Sequence, residues 1–236
     1  EFVIGCDSRF SGRELEDAFI DGLGCRNIST VSLGVVPTPA VAMIVRKIRA
    51  SMGAVITASH NPPEDNGIKF FDCDGKKLDE GAECLIEQLV DTLPPAPTNS
   101  LKPDVARRDG TKIYREKVQS LFSTVNLDGW TIAIDTANGA TVETTPWVLR
   151  ECGAELIAIG DSSNGRDINC GVGSEHPDRL VTETVQGGAH LGISHDGDGD
   201  RVVFCDGTGS VLDGDEVLAI FGLYALRTGT LRGKTL

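Results

Sequence analysis

The sequence contains no apolar run of about 18 residues, which is the length that a membrane-spanning helix requires. It also does not open with the basic and then apolar segments of a secretory signal. With 40% hydrophobic and 24% charged residues, the composition is typical of a globular protein in water. We therefore expect no membrane partner and a cytoplasmic location.

Paired cysteines are also missing. The seven cysteines are spread over 236 residues, and no two of them have the C-x-x-C spacing of a zinc site or a redox motif. An odd number without this spacing disfavours a disulfide framework and favours reduced thiols in a reducing compartment. The cysteines therefore agree with a cytoplasmic location and predict no metal site of their own.

Positive charge is scarce. The chain has 22 Lys and Arg against 35 Asp and Glu, which gives a formal net charge of −13, and the basic residues form no long cluster. This balance argues against nucleic acid and anionic membranes as partners. An acidic protein that handles a phosphorylated substrate must then supply local positive charge, either from a metal ion or from a few placed Lys and Arg side chains.

Short apolar runs alternate with segments of helical periodicity, and this pattern occurs twice. The first occurrence predicts strands at 2–6, 31–35 and 52–57, with helices at 12–23 and 37–48 between them. The second predicts strands at 131–134, 156–159 and 191–194, with helices at 142–152 and from Pro177. The predicted fold class is α/β, with two successive β-α-β-α-β domains whose mixed, mostly parallel sheets are covered by helices. The repetition suggests an internal duplication.

The segment between the two occurrences predicts a short strand at 68–71, helices at 79–93 and 111–122, and a proline-rich loop at 94–102. We place the first domain at 1–125, the second at 126–210, and the truncated start of a third at 211–236. Both ends fall in strand-like sequence, so we expect the chain to be part of a longer protein.

Ser59 follows the third predicted strand at a point where the chain must turn, because the Asn-Pro-Pro at 61–63 continues neither a strand nor a helix. Ligands of open α/β sheets bind outside the carboxyl ends of the strands, which is where this serine is expected. Ser59 is either a turn or cap residue or a nucleophile. The chain lacks the G-x-S-x-G motif, and His60 is poorly placed to accept the serine proton, so a serine hydrolase is disfavoured.

Asp196, Asp198 and Asp200 are separated by single glycines and follow the third strand of the second pattern. Alternate carboxylates can converge on one divalent cation where glycines let the backbone curl. A solvated acidic turn is the simpler alternative. An EF-hand fails because its sixth and twelfth positions would be Arg201 and Gly207 instead of Gly and Glu.

A phosphatase that uses Asp196 as a nucleophile is a further alternative, since an Asp-x-Asp pair after an apolar strand is typical of such enzymes. Little of the chain remains downstream for the other motifs that this class needs. Lys69 and Arg201 would ordinarily be surface charges, and only their placement near the two strand-end loops makes them candidates.

The sequence resembles the α-D-phosphohexomutases in three motifs, TASHNP at 57–62, NGIK at 66–69 and DGDGDR at 196–201. Within this superfamily, the residues of these motifs are most similar to those of the bacterial phosphoglucosamine mutase subfamily. The supporting stretches are DSRFSG at 7–12, PTPAV at 37–41, DTANGA at 135–140, DIN at 167–169 and GSEHP at 173–177.

The resemblance implies a reversible shift of a phosphoryl group between O6 and O1 of glucosamine phosphate, through a phosphoserine enzyme and a bisphosphorylated sugar. It implies that Ser59 carries the phosphate and that Mg²⁺ is held by Ser59, Asp196, Asp198 and Asp200, since such catalysis consists largely of positioning and charge neutralisation.

The resemblance also implies roles for the neighbouring side chains. Lys69 would be the general acid and base, which requires nearby positive charge to lower its pKa. Arg201 would steady the phosphoryl oxygens. His60 would act beside Ser59, and Asn61 and Arg9 would lie near the substrate.

At three positions the chain differs from the residues usual in this subfamily; they are Thr136, Val172 and Glu175. A phosphoglucomutase or phosphomannomutase of the same superfamily therefore remains an alternative, as does a non-catalytic sugar-phosphate binder. The chain also lacks an arginine-bearing motif before its first strand, most of a third domain and a fourth domain. We expect it to carry phosphoserine and metal but to bind sugar poorly by itself.

Overall fold

A computed structural model of the chain describes residues 1–92, 104–231 and 233. The first unit begins with β1 (Phe2–Cys6), α1 (Gly12–Gly24), β2 (Thr30–Val35), α2 (Thr38–Ile48) and β3 (Met52–Ile56). It continues with β4 (Ile68–Phe71), α3 (Glu80–Thr92), β5 (Val105–Arg107) and α4 (Gly110–Leu121). The proline-rich loop predicted at 94–102 lies outside the described residues.

The second unit contains β6 (Thr131–Asp135), α5 (Thr145–Glu151), β7 (Glu155–Ile159), α6 (Asp178–Gln186) and β8 (Leu191–His195). It ends with β9 (Val202–Asp206) and β10 (Val211–Leu212), and α7 (Gly214–Arg227) follows. None of the helices in the described part of the chain combines the length and the apolar character needed to cross a membrane.

Each unit forms one five-stranded sheet, in the order β4-β3-β1-β2-β5 for the first and β10-β9-β8-β6-β7 for the second. The first, second and third strands of each unit pair in parallel, and the strand that follows the third pairs with it antiparallel. The predicted fold class of two mixed, mostly parallel α/β sheets is therefore confirmed. The first four strands have the same order in both units, which agrees with the predicted duplication, whereas the fifth strand lies at opposite edges of the two sheets.

Helices cover the sheets because their apolar residues recur on one face. In α2, Val41, Ile44 and Val45 are fully buried and pack with Val3 and Val55 of the first sheet. Ile20 of α1 packs on the opposite face of this sheet. Burial of one such aliphatic side chain stabilises the fold by roughly 1.5–3 kcal/mol.

Three strands were not predicted, β5, β9 and β10, and α5 begins at Thr145 instead of at residue 142. The start of α5 is displaced because residues 140–144 form turns, in which the amide and the hydroxyl of Thr144 both donate to the carbonyl oxygen of Thr141. Pro146 then stands in the first turn of the helix, where a missing N–H costs nothing.

The two units contact each other directly. The Ser8 hydroxyl donates a hydrogen bond to the carbonyl oxygen of Asn138 at 2.6 Å, and the Phe10 amide donates to that of Gly165 at 2.9 Å. Both contacts lie beside the carboxyl ends of the parallel strands. The loops after β3 and β8 therefore face each other.

Candidate active site

Ser59 stands in the loop after β3, and its backbone has a φ of +53°, in the left-handed region that residues other than glycine seldom adopt. Its amide donates a hydrogen bond to the Thr57 hydroxyl at 2.8 Å. Its own hydroxyl donates to Oδ2 of Asp196 in the loop after β8, also at 2.8 Å. The two loops singled out in the sequence therefore meet in space.

Asp196, Asp198 and Asp200 form one cluster, in which a carboxylate oxygen of each lies within 4.8 Å of the others. Asp196 and Asp198 are fully buried. Oδ1 of Asp198 is buried and accepts no hydrogen bond within the described part of the chain. Three converging hard oxygens, one of them without a partner, fit a divalent cation such as Mg²⁺ or Ca²⁺.

The cluster is electrostatically strained. Burial, followed by repulsion from Asp198, raises the pKa of Asp196 from 3.8 to about 6. Burial also opposes ionisation of Asp198, but hydrogen bonds from Lys69 and Thr38 outweigh it and lower the pKa of this carboxyl. The strain arises because several negative charges share one water-poor site.

Lys69 reaches the same cluster from β4, where it pairs with Val55 of β3. Its Nζ lies 2.8 Å from Oδ2 of Asp198 and 3.0 Å from Oδ2 of Asp200. Burial lowers the pKa of Lys69, but the two carboxylates outweigh burial and raise it. The expectation that nearby positive charge lowers this pKa is therefore wrong for this arrangement, in which the neighbouring charges are negative.

Arg201 lies at the rim of the cluster with half of its side chain exposed. Its Nε is 4.0 Å from Oδ2 of Asp196 and 3.9 Å from Oδ1 of Asp200, and Nη1 is 3.6 Å from Oε1 of Glu175. These are long ionic contacts instead of close hydrogen bonds. The guanidinium group therefore retains donors that a bound anion could use.

The residues that follow Ser59 have different environments. Nδ1 of His60 is buried and forms no hydrogen bond with the described residues, and the ring lines a cavity of about 400 Å³ together with His176 and Cys170. The side-chain amide of Asn61 donates to Oδ2 of Asp65 at 3.0 Å, within the same loop. His60 is therefore placed at the edge of the site, whereas the Asn61 side chain contacts its own loop.

Arg9 is buried, and its side chain is fully inaccessible to solvent. Its Nε pairs with Oδ2 of Asp7 at 3.0 Å, and both terminal nitrogens donate to backbone carbonyls of the Ser59 loop. Its contacts are thus with the loop. The predicted contact of Arg9 with a substrate stays a prediction.

Two site residues were missed by the sequence analysis, Thr38 and Asn169. Thr38, at the start of α2, donates its hydroxyl to Oδ2 of Asp198 at 2.5 Å and its amide to the carbonyl oxygen of Asp198 at 2.8 Å. The Asn169 amide donates to the carbonyl oxygens of Ser59 and Asn61. Both residues lie in motifs, at 37–41 and 167–169, that support the family resemblance but carry no predicted role.

Two family models match the chain. Residues 1–96 match phosphoglucomutase/phosphomannomutase alpha/beta/alpha domain I, and residues 112–209 match alpha/beta/alpha domain II of the same family. The chain belongs to the phosphoglucomutase/phosphomannomutase family. The α-D-phosphohexomutase resemblance is thereby confirmed, and each matched domain contains four of the five strands of one sheet.

Curated members of this family with similar sequences are named phosphoglucosamine mutase. The protein from Aeromonas salmonicida is 46% identical over 233 residues, which are 98% of this chain and 52% of the relative. That from Jannaschia sp. is 43% identical over 236 residues, 99% of this chain and 53% of the relative. The family member described here thus spans about half the length of the curated relatives that it matches.

Solved phosphohexomutase structures have the same fold. A putative phosphomannomutase from Thermus thermophilus superposes with a TM-score of 0.81 at 26% identity, over 97% of this chain and 53% of that one. An N-acetylphosphoglucosamine mutase from Aspergillus fumigatus, solved with GlcNAc-6P and magnesium, superposes with a TM-score of 0.57 at 17% identity, over 83% and 53%.

Proposed function

We propose that this chain is the phosphate-carrying and metal-binding part of an isomerase, an intramolecular phosphotransferase that interconverts glucosamine 6-phosphate and glucosamine 1-phosphate. The observation that carries the proposal is the 2.8 Å hydrogen bond between the Ser59 hydroxyl and Asp196 within the acidic cluster. It joins a candidate phosphate carrier to a candidate cation site. The names of the curated relatives support the choice of sugar.

Ser59 holds the phosphoryl group that is exchanged with the sugar. In one half of the cycle, a sugar hydroxyl attacks the phosphorus, the bond from phosphorus to the serine oxygen breaks, and a bisphosphorylated sugar forms. The reverse step then returns the other phosphoryl group to Ser59. Mg²⁺ held by Ser59, Asp196, Asp198 and Asp200 would neutralise charge on the transferred group when bound.

Lys69 and Arg201 assist the transfer from the two sides of the cluster. Lys69 exchanges a proton with the sugar hydroxyl, and its contact with Asp198 and Asp200 holds it within the site. Arg201, half exposed at the rim, contacts the phosphoryl oxygens. His60, Asn61 and Arg9 complete the surroundings of Ser59.

The substrates of the whole protein are a phosphorylated hexosamine and its bisphosphate, and the product feeds amino-sugar nucleotide and cell-wall synthesis. The Aspergillus fumigatus structure with GlcNAc-6P and magnesium supports a phosphosugar and this metal for the shared fold. A cytoplasmic location is part of the proposal, and the free state of all seven cysteines supports it.

A glucose- or mannose-phosphate mutase is the second candidate, because the matching family models and the Thermus thermophilus structure carry those names. An aspartyl phosphatase is disfavoured because Asp196 is fully buried and both of its oxygens already accept hydrogen bonds, one from Ser59 and one from the Arg201 amide.

The test is to incubate the purified protein with Mg²⁺ and glucosamine 1,6-bisphosphate and to locate phosphate by mass spectrometry. We expect phosphate on Ser59 and none in Ser59→Ala. Turnover of glucosamine, glucose and mannose 6-phosphates by the complete gene product then identifies the sugar. An unmodified and dispensable Ser59 would defeat the proposal, whereas phosphate release that depends on Asp196 alone would identify a phosphatase.

A further inference from the structure

The backbone of Ser59 is held by hydrogen bonds at both of its polar groups. Its N–H donates to the Thr57 hydroxyl, which donates in turn to Oδ2 of Asp7 at 2.7 Å. Its carbonyl oxygen accepts from Nη2 of Arg9 at 3.0 Å, and Nε of Arg9 pairs with the same Asp7 oxygen. The four residues thus form a closed, buried ring that belongs entirely to the first unit.

Asn169 of the second unit contacts this ring at the carbonyl oxygen of Ser59. Its Nδ2 donates to the carbonyl oxygen of Ser59 at 2.9 Å and to that of Asn61 at 3.0 Å. Nη2 of Arg9 donates to these same two oxygens, at 3.0 and 2.9 Å. Each carbonyl has two lone pairs, so one arginine and one asparagine together satisfy both oxygens.

Asn169 is itself fixed in place. Its side chain is buried, its backbone has a φ of +60°, and its N–H donates to the carbonyl oxygen of Ala137 at 2.9 Å. A left-handed backbone is tolerated by asparagine better than by most residues. The side-chain amide is therefore presented to the Ser59 loop by a rigid support.

The metal loop packs against the same contact. A Cβ atom placed on Gly197 would lie 2.8 Å from Nδ2 of Asn169 and 2.8 Å from the Ser59 carbonyl oxygen. Gly197 stands between Asp196 and Asp198, so this glycine lets the acidic loop lie directly on the hydrogen bond between Asn169 and Ser59. The position of the carrier and that of the cation site are thereby set by one shared contact.

We propose that Asn169 is a positioning residue, which couples the two units by holding the Ser59 backbone in its left-handed conformation and so directs the serine hydroxyl at the acidic cluster. This role deepens the proposed function and rests on it. Asn169 does not touch the reacting atoms. It acts through the Ser59 carbonyl, and the Arg9 guanidinium acts through the same atom from the opposite unit.

Asn169→Gly tests the proposal, because it removes the amide donors and still allows a positive φ. Arg9 remains to bond both carbonyls, so the fold is expected to survive. Asn27→Gly is the matched control, since Asn27 also has a positive φ, of 56°, but is exposed and lies after α1, away from the site. Asn169→Asp is a second variant, in which a carboxylate would face two carbonyl oxygens.

Two readouts are measured on each protein. One is the rate of Ser59 phosphorylation in the complete gene product, with Mg²⁺ and saturating glucosamine 1,6-bisphosphate, together with the half-saturating concentration. The other is amide hydrogen exchange in residues 57–65 without any ligand. For Asn169→Gly we expect a rate lower by about 10- to 100-fold, a half-saturating concentration within about threefold, and faster exchange in this loop. Asn169→Asp should lower the phosphorylation rate by at least as much. Asn27→Gly should match the wild type in both the rate and the exchange.

The outcomes separate this proposal from the proposed function. An Asn169→Gly rate within about twofold of the control, unchanged exchange in the loop, or a loss fully explained by a larger unfolded fraction in thermal melts would each overturn the positioning role. A wild-type protein that is never phosphorylated would overturn the proposed function, and the exchange comparison would still decide whether Asn169 holds the loop.

Discussion

Asp196→Asn is expected to make the metal-free protein more stable at neutral pH while removing its response to divalent cations. The Asp196 carboxyl is fully buried, and burial together with repulsion from Asp198 raises its pKa to about 6. Asparagine can keep both hydrogen bonds, by accepting from the Arg201 amide and donating to the Ser59 hydroxyl. The substitution therefore removes a strained charge without leaving a polar group unpaired.

The size of the effect follows from the pKa. A folded-state pKa of about 6 against an ordinary value of 3.8 means that ionisation of Asp196 costs the folded state about 3 kcal/mol at most. Part of this gain is offset because the asparagine amide is itself a polar group buried away from water, so we expect a net gain of roughly 1 to 3 kcal/mol. Substitutions that stabilise a protein at the expense of its function are common at active sites.

Urea unfolding in EDTA at pH 7.5, followed by tryptophan fluorescence, measures the gain. Both tryptophans, Trp130 and Trp147, lie in the second unit with Asp196. Addition of Mg²⁺ at 100 times its dissociation constant should then stabilise the wild type by about 2.7 kcal/mol and the variant hardly at all. Asp206→Asn is the control, because hydrogen bonds from Thr208 and Ser210 lower the pKa of this exposed carboxyl, and its replacement should not stabilise the fold.

The pH dependence of the free energy of unfolding independently checks whether the Asp196 charge destabilises the fold. A protonated Asp196 contributes stability that is fully present below pH 3.8 and is lost as the pH rises through about 6. The advantage of Asp196→Asn should therefore shrink as the pH falls from 7.5 toward 4. An unchanged or lower unfolding midpoint for the variant at pH 7.5, or an advantage that grows on acidification, would refute the reasoning.

Two further substitutions test the packing and the charge of the cluster. Gly197→Ala should destabilise the protein by roughly 1–3 kcal/mol in thermal melts, because its Cβ would meet three heavy atoms at 2.8 Å. Gly22→Ala, in the last turn of α1 with nothing within 4 Å of its Cβ, should stabilise it by about 0.5–1 kcal/mol. Lys69→Met should tighten Mn²⁺ binding in titration calorimetry, because it removes a cation that shares oxygens with Asp198 and Asp200; weaker binding would contradict this.

Local sequence signals were sufficient to predict most of the fold. Apolar runs of three to five residues between turn signals predict β1, β3, β6 and β8, since strands covered on both faces need continuous apolar sequence. Of the three strands that were missed, β9 has five residues and an apolar run at 202–205 that could have predicted it, whereas β5 and β10 have three and two residues and are too short for any periodicity. They exist because a neighbouring strand offers free backbone groups, which is information from the tertiary structure.

Some residues of the candidate site likewise have a local sequence signal, whereas others are placed only by the tertiary structure. Ser59 and the three aspartates could be predicted because each motif lies at the end of a strand, and the chemistry of alternating carboxylates is visible within a few residues. Thr38 and Asn169 could not, because each acts on a residue more than 100 positions away in the chain. No local pattern distinguishes these two side chains from an ordinary helix start or an ordinary loop asparagine.

Among the buried aspartates of the two units, the hydrogen bonds that each carboxylate accepts are a better indication of function than the residue type alone. Asp7 and Asp135 end the first strand of each unit, and both accept the amide of the residue two positions on, at 2.9 Å. Their second oxygens are also bonded, from Arg9 and Thr57 in one case and from the Gly173 amide in the other. These acids are satisfied by the protein itself and stabilise the turns.

Asp198, after the third strand of the second unit, is not satisfied in this way. Burial raises the pKa of Asp7, Asp135 and Asp196 alike, so the difference lies in the hydrogen bonds. Oδ1 of Asp198 is buried and accepts none within the described part of the chain. Such costs persist in a fold where a ligand or a reaction offsets them. Because the first four strands of the two units have the same order, the acids at their strand ends can be compared, and the unpaired oxygen of Asp198 separates the candidate cation site from the turn-forming aspartates.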